Sequence, residues 1–208
     1  RNRFAGDFVK RKIPRLKKKG VSKDSFYISN DKFSIDGNRV RVPNVGWIRM
    51  REELRFDGKI ASATFSRDVD GWYVSFSVEG EFSRKRTGKK TVGVDLGVKN
   101  ALTLSTGETL EGPKPLKKHL KRLAKMQRKF AKQQKGSKRR EKQRKRIAKL
   151  HKRIRDIRND FLHKATTRLC RENQTVVIED LAVRNMVRNR RLARSISDMG
   201  FGEFRRQL

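Results

Sequence analysis

Cysteine is all but missing from this chain: Cys170 is the single one in 208 residues. That excludes a disulfide framework and a cysteine-built zinc site within these residues. Long apolar runs are missing as well. No stretch approaches the roughly 20 residues of a membrane-spanning helix, and no signal-peptide pattern precedes the body. No apolar helix face is suited to insertion in lipid, so a membrane partner is not expected. Carboxylates are scarce: 22 Asp and Glu stand against 56 Lys and Arg, leaving a formal net charge of +34. That is far more than solubility needs, and it marks a chain that binds nucleic acid. Hydrophobic residues make up 34%, which suffices for one or two modest cores. The expected setting is intracellular and cytoplasmic. The chain opens at Arg1 inside a basic run and stops at Leu208 within an expected helix, so a piece of a longer protein is expected.

Against that scarcity, two carboxylates occupy unusual places. Gly93-Val94-Asp95-Leu96-Gly97 and Val176-Val177-Ile178-Glu179-Asp180-Leu181 each put an acid at or near the end of a β-branched run. Such runs read as buried strands. An acid there is costly unless it is paired, hydrogen-bonded or bound to a metal. Two such acids in a strongly basic chain point to a divalent-metal site acting on a phosphate backbone. The plainer alternative is a pair of strand-end acids in salt bridges or helix caps. Asp180 points to the other side of its strand and reads as structural, an N-cap for the next segment.

The chain divides into three stretches. Residues 1–19 are a basic lead-in broken by Pro14. Residues 20–86 read as short strands: Phe26 to Ser29, Lys32 to Ile35, Arg39 to Val42, Gly46 to Arg49, and a hairpin of Ile60 to Arg67 with Trp72 to Glu79 about Asp70-Gly71. Trp72, Val74, Phe76 and Val78 alternate with polar residues and are expected to form one buried face. Many short strands at close spacing suggest a small barrel or sandwich. Arg84 to Lys90 is a basic linker. Residues 87–208 open with two strands and continue into a helical pair over 114–171. There Leu116, Leu120, Leu123 and Phe130 form one stripe, and Ile147, Leu150, Ile154, Ile157 and Phe161 form another at heptad spacing. Gly136-Ser137 permits an antiparallel return. This pair holds 25 Lys and Arg against Glu141, Asp156 and Asp160. A solvated face is the usual reading of a charge run, but one sign this unopposed points to a polyanion partner. Lys138, Arg139, Arg140, Lys142 and Arg144 are the candidate contacts on the helices. Arg188, Arg190 and Arg191 are candidates in the loop that follows Glu179. Ser197-Asp198 reads as an N-cap for a final helix carrying Phe201, Phe204 and Leu208.

The order of these parts resembles the TnpB family of insertion-sequence proteins, RNA-guided DNA endonucleases related to type V CRISPR effectors. The resemblance runs through Ile13-Pro14-Arg15-Leu16-Lys17-Lys18-Lys19, Val42-Pro43-Asn44-Val45-Gly46-Trp47 and the Gly93 to Gly97 string. It continues with His151-Lys152-Arg153-Ile154, Asp160-Phe161-Leu162-His163-Lys164 and Glu179-Asp180-Leu181, and ends on Ser195-Ile196-Ser197-Asp198-Met199-Gly200-Phe201-Gly202-Glu203-Phe204. It implies an α+β chain: a wedge-like β-barrel domain over 20–86, then an incomplete ribonuclease-H-like (RuvC) nuclease domain over 87–208 carrying the basic helical hairpin. It implies that Asp95 and Glu179 are the first two catalytic acids. They would hold Mg²⁺, which prefers oxygen ligands and keeps several waters. Guide RNA and target DNA, paired as an RNA–DNA heteroduplex, are the implied partners. The family's third Asp and its four-cysteine zinc motif are expected beyond Leu208. Ser29-Asn30 falls where the family meets the short DNA motif beside its target. Asn can pair with adenine edges, and a turn role is equally open.

His119, His151 and His163 are not at ligand spacing and read as packing or phosphate contacts. Cys170 reads as core. Trp47, Trp72 and Tyr73 could stack on bases, though for Trp72 the apolar face favours core. Three functions compete: an RNA-guided metal-dependent DNA endonuclease associated with an insertion sequence, a binding module of the same fold that targets DNA without cutting, and a ribosomal-type RNA binder. The last leaves the two acid-bearing strands unexplained.

Overall fold

The computed structural model describes residues 24–80, 88 and 90–208. The basic lead-in, the Ile13 to Lys19 motif and most of the Arg84 to Lys90 linker lie outside the described residues. The chain divides into two compact units, Arg1–Glu81 and Phe82–Leu208.

Among the described residues, the regular structure of the first unit is strand apart from a 3-10 turn at Asn30–Lys32. Its strands are β1 (Ser25–Ser29), β2 (Ser34–Asp36), β3 (Arg39–Val42), β4 (Gly46–Arg49), β5 (Lys59–Asp68) and β6 (Gly71–Glu79). They pair as two antiparallel three-stranded sheets, β1-β5-β6 and β2-β3-β4. Among the described residues no ladder joins one sheet to the other. Ile28, Ala63 and Phe65 of the first share one core with Val40 and Val42 of the second. Alternation places these residues: Ile28 stands opposite Ala63, and Ala63 opposite Phe76, so one face of each strand is apolar. Trp72 departs from the expected core. It sits opposite Arg67 beside the hairpin turn, is 55% exposed, and leans on Phe26 at 6.1 Å between ring centroids. The core ends at Phe65 and Val74, two pairs before it on the same face. The hairpin loop is Val69-Asp70, because Asp68 already pairs with Gly71.

The second unit holds a mixed sheet in the order β10-β7-β8-β9. Its strands are β7 (Lys90–Leu96), β8 (Leu102–Leu104), β9 (Thr109–Leu110) and β10 (Asn173–Ile178). β10 lies parallel to β7, while β7, β8 and β9 form an antiparallel meander. The link from β9 to β10 is two helices, α1 (Pro115–Ala131) and α2 (Lys138–Glu172). Three short helices follow: α3 (Val183–Met186), α4 (Ala193–Met199) and α5 (Phe201–Gln207).

α2 is more than one half of a hairpin. At 35 residues it runs for about 52 Å. Its first half packs Leu150 and Ile154 against Leu123 of α1, with Leu116, Met126 and Ile147 alongside. Its second half packs Leu162, Ala165 and Leu169 into the sheet core with Val92, Val94, Leu102, Ile196, Phe201 and Phe204. The apolar stripe therefore rotates along the helix as its neighbour changes. A single heptad seam through Ile157 and Phe161 does not describe it.

Both helices start with defined caps. Ser137 caps α2, its hydroxyl accepting from the Arg140 amide at 3.2 Å. α1 begins with Pro115 at its first position, which suits a residue without an N–H. The preceding Lys114 is left-handed, at φ 44°, and offers no side-chain cap. The cap comes from Asp198 instead. Its two carboxylate oxygens accept from the Leu116 and Lys117 amides at 2.9 and 3.0 Å. The sequence reading of Asp198 as cap for the last helix is thus corrected: it sits buried inside α4 and caps a helix some eighty residues earlier. Losing an N-cap costs about 0.5–2 kcal/mol, and a buried one lies at the upper end. Asp198→Ala should lower the melting temperature by roughly 4–8 °C, given about 2–4 °C per kcal/mol for this size. Asp198→Asn, which keeps one acceptor, should lose less than half as much. Equal melting of all three proteins would show that this cap contributes nothing.

No helix among the described residues is long and apolar enough to cross a membrane.

Candidate active site and nucleic-acid interface

β7 and β10 run side by side with Val92 opposite Val176 and Val94 opposite Ile178. Those four side chains face the core. The alternate residues, Gly93, Asp95 and Val177, face the other way. Asp95 lies in β7, and Glu179 directly follows the last residue of β10. The ladder ends at the Val94–Ile178 pair; continued one step, the parallel register would bring Glu179 beside Asp95, with neighbouring strands about 4.8 Å apart. Both residues are exposed. On the other flank of β7, Thr103 of β8 stands opposite Asp95.

The bend after Asp95 depends on Gly97. A Cβ at Gly97 would lie 2.7 Å from the Asn100 carbonyl oxygen, and the Gly97 amide closes the turn on Ala101 at 3.3 Å. Close backbone approach is what requires glycine here.

The partners of the other acids set this pair apart. From residue 90 onward the chain has eleven acids. Glu108 and Glu172 hold Arg168, with Glu108 bidentate at 2.7 and 3.0 Å. Glu141 lies near Arg144 and Lys145, Asp156 pairs with Lys152, and Asp160 with Lys164. Asp180 pairs with Arg205, Glu203 with Arg206, and Asp198 caps α1. Arg168 holds Glu108 below the usual carboxylate range. Arg206, helped by Gln207, pushes Glu203 down to about 2. Only Asp95, Glu111 and Glu179 have no side-chain hydrogen bond or ion pair among the described residues. Two of those three are neighbours on adjacent strands. Among the described residues, the salt-bridge and cap roles fall to Asp180 and Asp198. For Asp180 the expected N-cap gives way to the ion pair with Arg205, since α3 starts after Ala182 with no side-chain cap.

As donors, two carboxylates suit a hard divalent cation such as Mg²⁺. Among the described residues no group of three or more His, Cys, Asp and Glu side chains is placed to hold a metal ion. His119, His151 and His163 form no such group; His163 lies 3.5 Å from the Gln207 amide nitrogen. Cys170 is half-buried rather than core.

The basic hairpin presents its cations outward. Lys138, Arg139, Lys142 and Arg144 are exposed. Arg140 differs: its guanidinium donates to the Phe130 and Gln133 carbonyls at 3.0 and 2.6 Å and lies 4.1 Å from the Phe130 ring centroid. It ties the end of α1 to the start of α2. Lys145, Lys149 and Arg153 extend the exposed line from Lys138 and Lys142 at three- and four-residue steps. Over fifteen residues that flank is about 22 Å long. Lys149 and Arg153 were legible as the same helical flank but fall outside the set picked from the loop-proximal run. Arg188, Arg190 and Arg191 are exposed in the turn after α3, where Asn189 accepts from the Arg191 amide at 3.0 Å. In the first unit, Ser29 donates to Asp31 and Asn30 opens the 3-10 turn, so Ser29 has a local turn role. Tyr27, Trp47 and Tyr73 are exposed, with the Tyr73 hydroxyl donating to Asp70 at 2.9 Å.

The chain is thus mixed α+β, with Asp95 and Glu179 at neighbouring strand ends, unpaired among the described residues, and a basic hairpin between β9 and β10. Residues 73–190 match the family model OrfB_IS605, described as "Probable transposase", and the chain belongs to that family. It is 41% identical, over 99% of its length, to a "Putative RNA-guided DNA endonuclease" of Streptomyces pristinaespiralis, covering 52% of that protein. It is 36% identical, over 94% of its length, to the "Putative RNA-guided DNA endonuclease InsQ" of Escherichia coli, covering 53% of that one. A Mycobacterium tuberculosis protein of the same description is 27% identical over 94% of the chain and 48% of its own length. The chain thus spans about half the length of the curated relatives it matches.

Proposed function

We propose that this chain is part of an RNA-guided, divalent-metal-dependent DNA endonuclease. The observation that carries the reading is the Asp95–Glu179 pair. In a chain with 56 cations and 22 acids, these two carboxylates stand at the ends of neighbouring strands with no cation paired to them among the described residues. Like charges so placed repel unless a bound cation offsets them. Asp95 and Glu179 would hold Mg²⁺, which there would activate water and stabilise the leaving oxygen of a phosphodiester. On this reading the sheet of the second unit belongs to a RuvC-like nuclease domain, and the two small sheets of the first to a wedge-like barrel. The hairpin cations bind the phosphate backbone of the guide RNA or of its heteroduplex with target DNA. The relatives' descriptions support the guide-RNA and DNA assignments.

The test compares two proteins. The full-length protein containing this chain, loaded with its guide RNA, should cut matched DNA in Mg²⁺ and stop when the ion is chelated. Residues 1–208 alone should bind RNA and an RNA–DNA duplex yet not cut. Two carboxylates are too few to enforce the near-octahedral shell of Mg²⁺ on two adjacent ions. Cutting by residues 1–208 would show that a further ligand exists within them. Cleavage by the full-length protein that survives chelation would remove the metal from the mechanism. A pure binding module would bind in both forms and cut in neither.

A further inference from the structure

The two glycines of the Gly93 to Gly97 string stand in different positions. Gly97 is needed by the backbone, as the Asn100 carbonyl shows. Gly93 is not. A Cβ built on it would meet only the Ser105 side chain, at 3.5 and 3.7 Å, which is ordinary contact. Its φ is not in the left-handed region. Glycine inside a strand weakens it, and here it interrupts a run in which Val92 and Val94 fit the sheet well. A residue that the strand would form better without, at a place where a side chain fits, implies a demand from outside the strand.

That demand has a location. Gly93 faces away from the core, on the same side as Asp95 and two residues before it, so the two Cα atoms are about 6.8 Å apart. It stands opposite Val177, which is 55% exposed, two residues before Glu179. On its other side Ser105 is folded back, its hydroxyl accepting from the Gly93 amide at 3.0 Å. The result is a flat, uncharged floor running up to the two carboxylates, with no described side chain standing on it between Val177 and Ser105.

We infer that Gly93 keeps a seat open for the sugar–phosphate backbone of the strand being cut, so that its scissile phosphate can reach Asp95 and Glu179. The inference rests on the nuclease reading and deepens it. Gly93 is a positioning residue, since it touches neither the ion nor the proton transfers. Any side chain at 93 would rise beside Asp95 into the space the strand must occupy. The obstruction grows with size, and misplacement by about 1 Å can cost a hundredfold in rate.

The test uses the full-length protein with its guide RNA and the variants Gly93→Ala, Gly93→Val and Asp95→Ala. Gly93→Val should melt at or above the wild-type temperature, bind guide RNA with unchanged Kd, and bind Mn²⁺ as tightly as wild type by electron paramagnetic resonance. Its cleavage rate should fall by at least a hundredfold, and that of Gly93→Ala by about tenfold. Wild-type cutting by Gly93→Val would overturn the inference while leaving the metal reading intact. A marked drop in its melting temperature would also overturn it, because another part of the protein would then pack on this floor. If Asp95→Ala still cuts and still binds Mn²⁺, the nuclease reading itself fails, whatever Gly93→Val does.

Discussion

Replacing Asp95 by Ala in the full-length protein is expected to abolish guide-dependent cleavage while leaving guide-RNA binding nearly intact. A metal-held carboxylate site contributes several kcal/mol of transition-state stabilisation, so the loss should be about a thousandfold or more. Folding should be little affected. Asp95 is exposed and has no side-chain hydrogen bond or ion pair among the described residues, while the neighbouring core positions Val94 and Leu102 are untouched. Removing one of two adjacent like charges relieves repulsion, so the melting temperature in chelator should hold or rise slightly. Glu179→Gln should behave the same way, since the two acids act on one ion site. Binding is read by filter retention of labelled guide RNA, cutting by product release from a matched duplex. Cleavage within tenfold of wild type would remove Asp95 from the chemistry. Lost RNA binding together with lost cutting would point instead to a folding defect.

What could be read in advance followed from local rules. Strands β1 to β6 were visible because alternation of residues such as Val74, Phe76 and Val78 is a local signal. Asp95 and Glu179 were visible because a carboxylate that ends a β-branched run is anomalous wherever it occurs. The misses are non-local. Trp72 continues the alternating pattern, but the core stops two pairs earlier, and no pattern along one strand marks that limit. Asp198 has the sequence look of a cap for the helix that follows; its carboxylate instead serves α1, a pairing created only when α4 docks there. Arg140 is one cation among many in the sequence, and its two carbonyl acceptors exist only once the hairpin has closed. Ile157 and Phe161 continue the spacing, so along the sequence the second half of α2 reads as more hairpin. The turn of the stripe toward Leu162, Ala165 and Leu169 reflects a change of neighbour from helix to sheet. The partners of the other acids, which single out Asp95 and Glu179, likewise become visible only after folding.

The hairpin carries the second large expected effect. Replacing Lys138, Arg139, Lys142 and Arg144 by Gln should weaken RNA binding steeply at low salt and flatten its salt dependence. Each phosphate contact contributes roughly −0.7 to −0.9 to the slope of log K against log salt, depending on whether the strand is single or paired. If all four contact phosphate, the slope should shift by about 3, and affinity near 0.1 M salt should fall by about a thousandfold. Arg140 is left in place, because its guanidinium closes the turn between α1 and α2. Arg140→Gln alone should lower thermal stability, as two helix-end carbonyls lose their donor. The four-residue variant should fold normally, since all four side chains are exposed and the seam of Leu123, Leu150 and Ile154 is unchanged. If they touch phosphate, Lys149 and Arg153 should each take a further step of about 0.7–0.9 from the slope when replaced. The measurement is a fluorescence titration of labelled RNA at several salt concentrations. An unchanged slope in a folded four-residue variant would show that this flank is merely solvated, and the phosphate contacts would then have to be sought elsewhere, with Arg188, Arg190 and Arg191 the next set to replace.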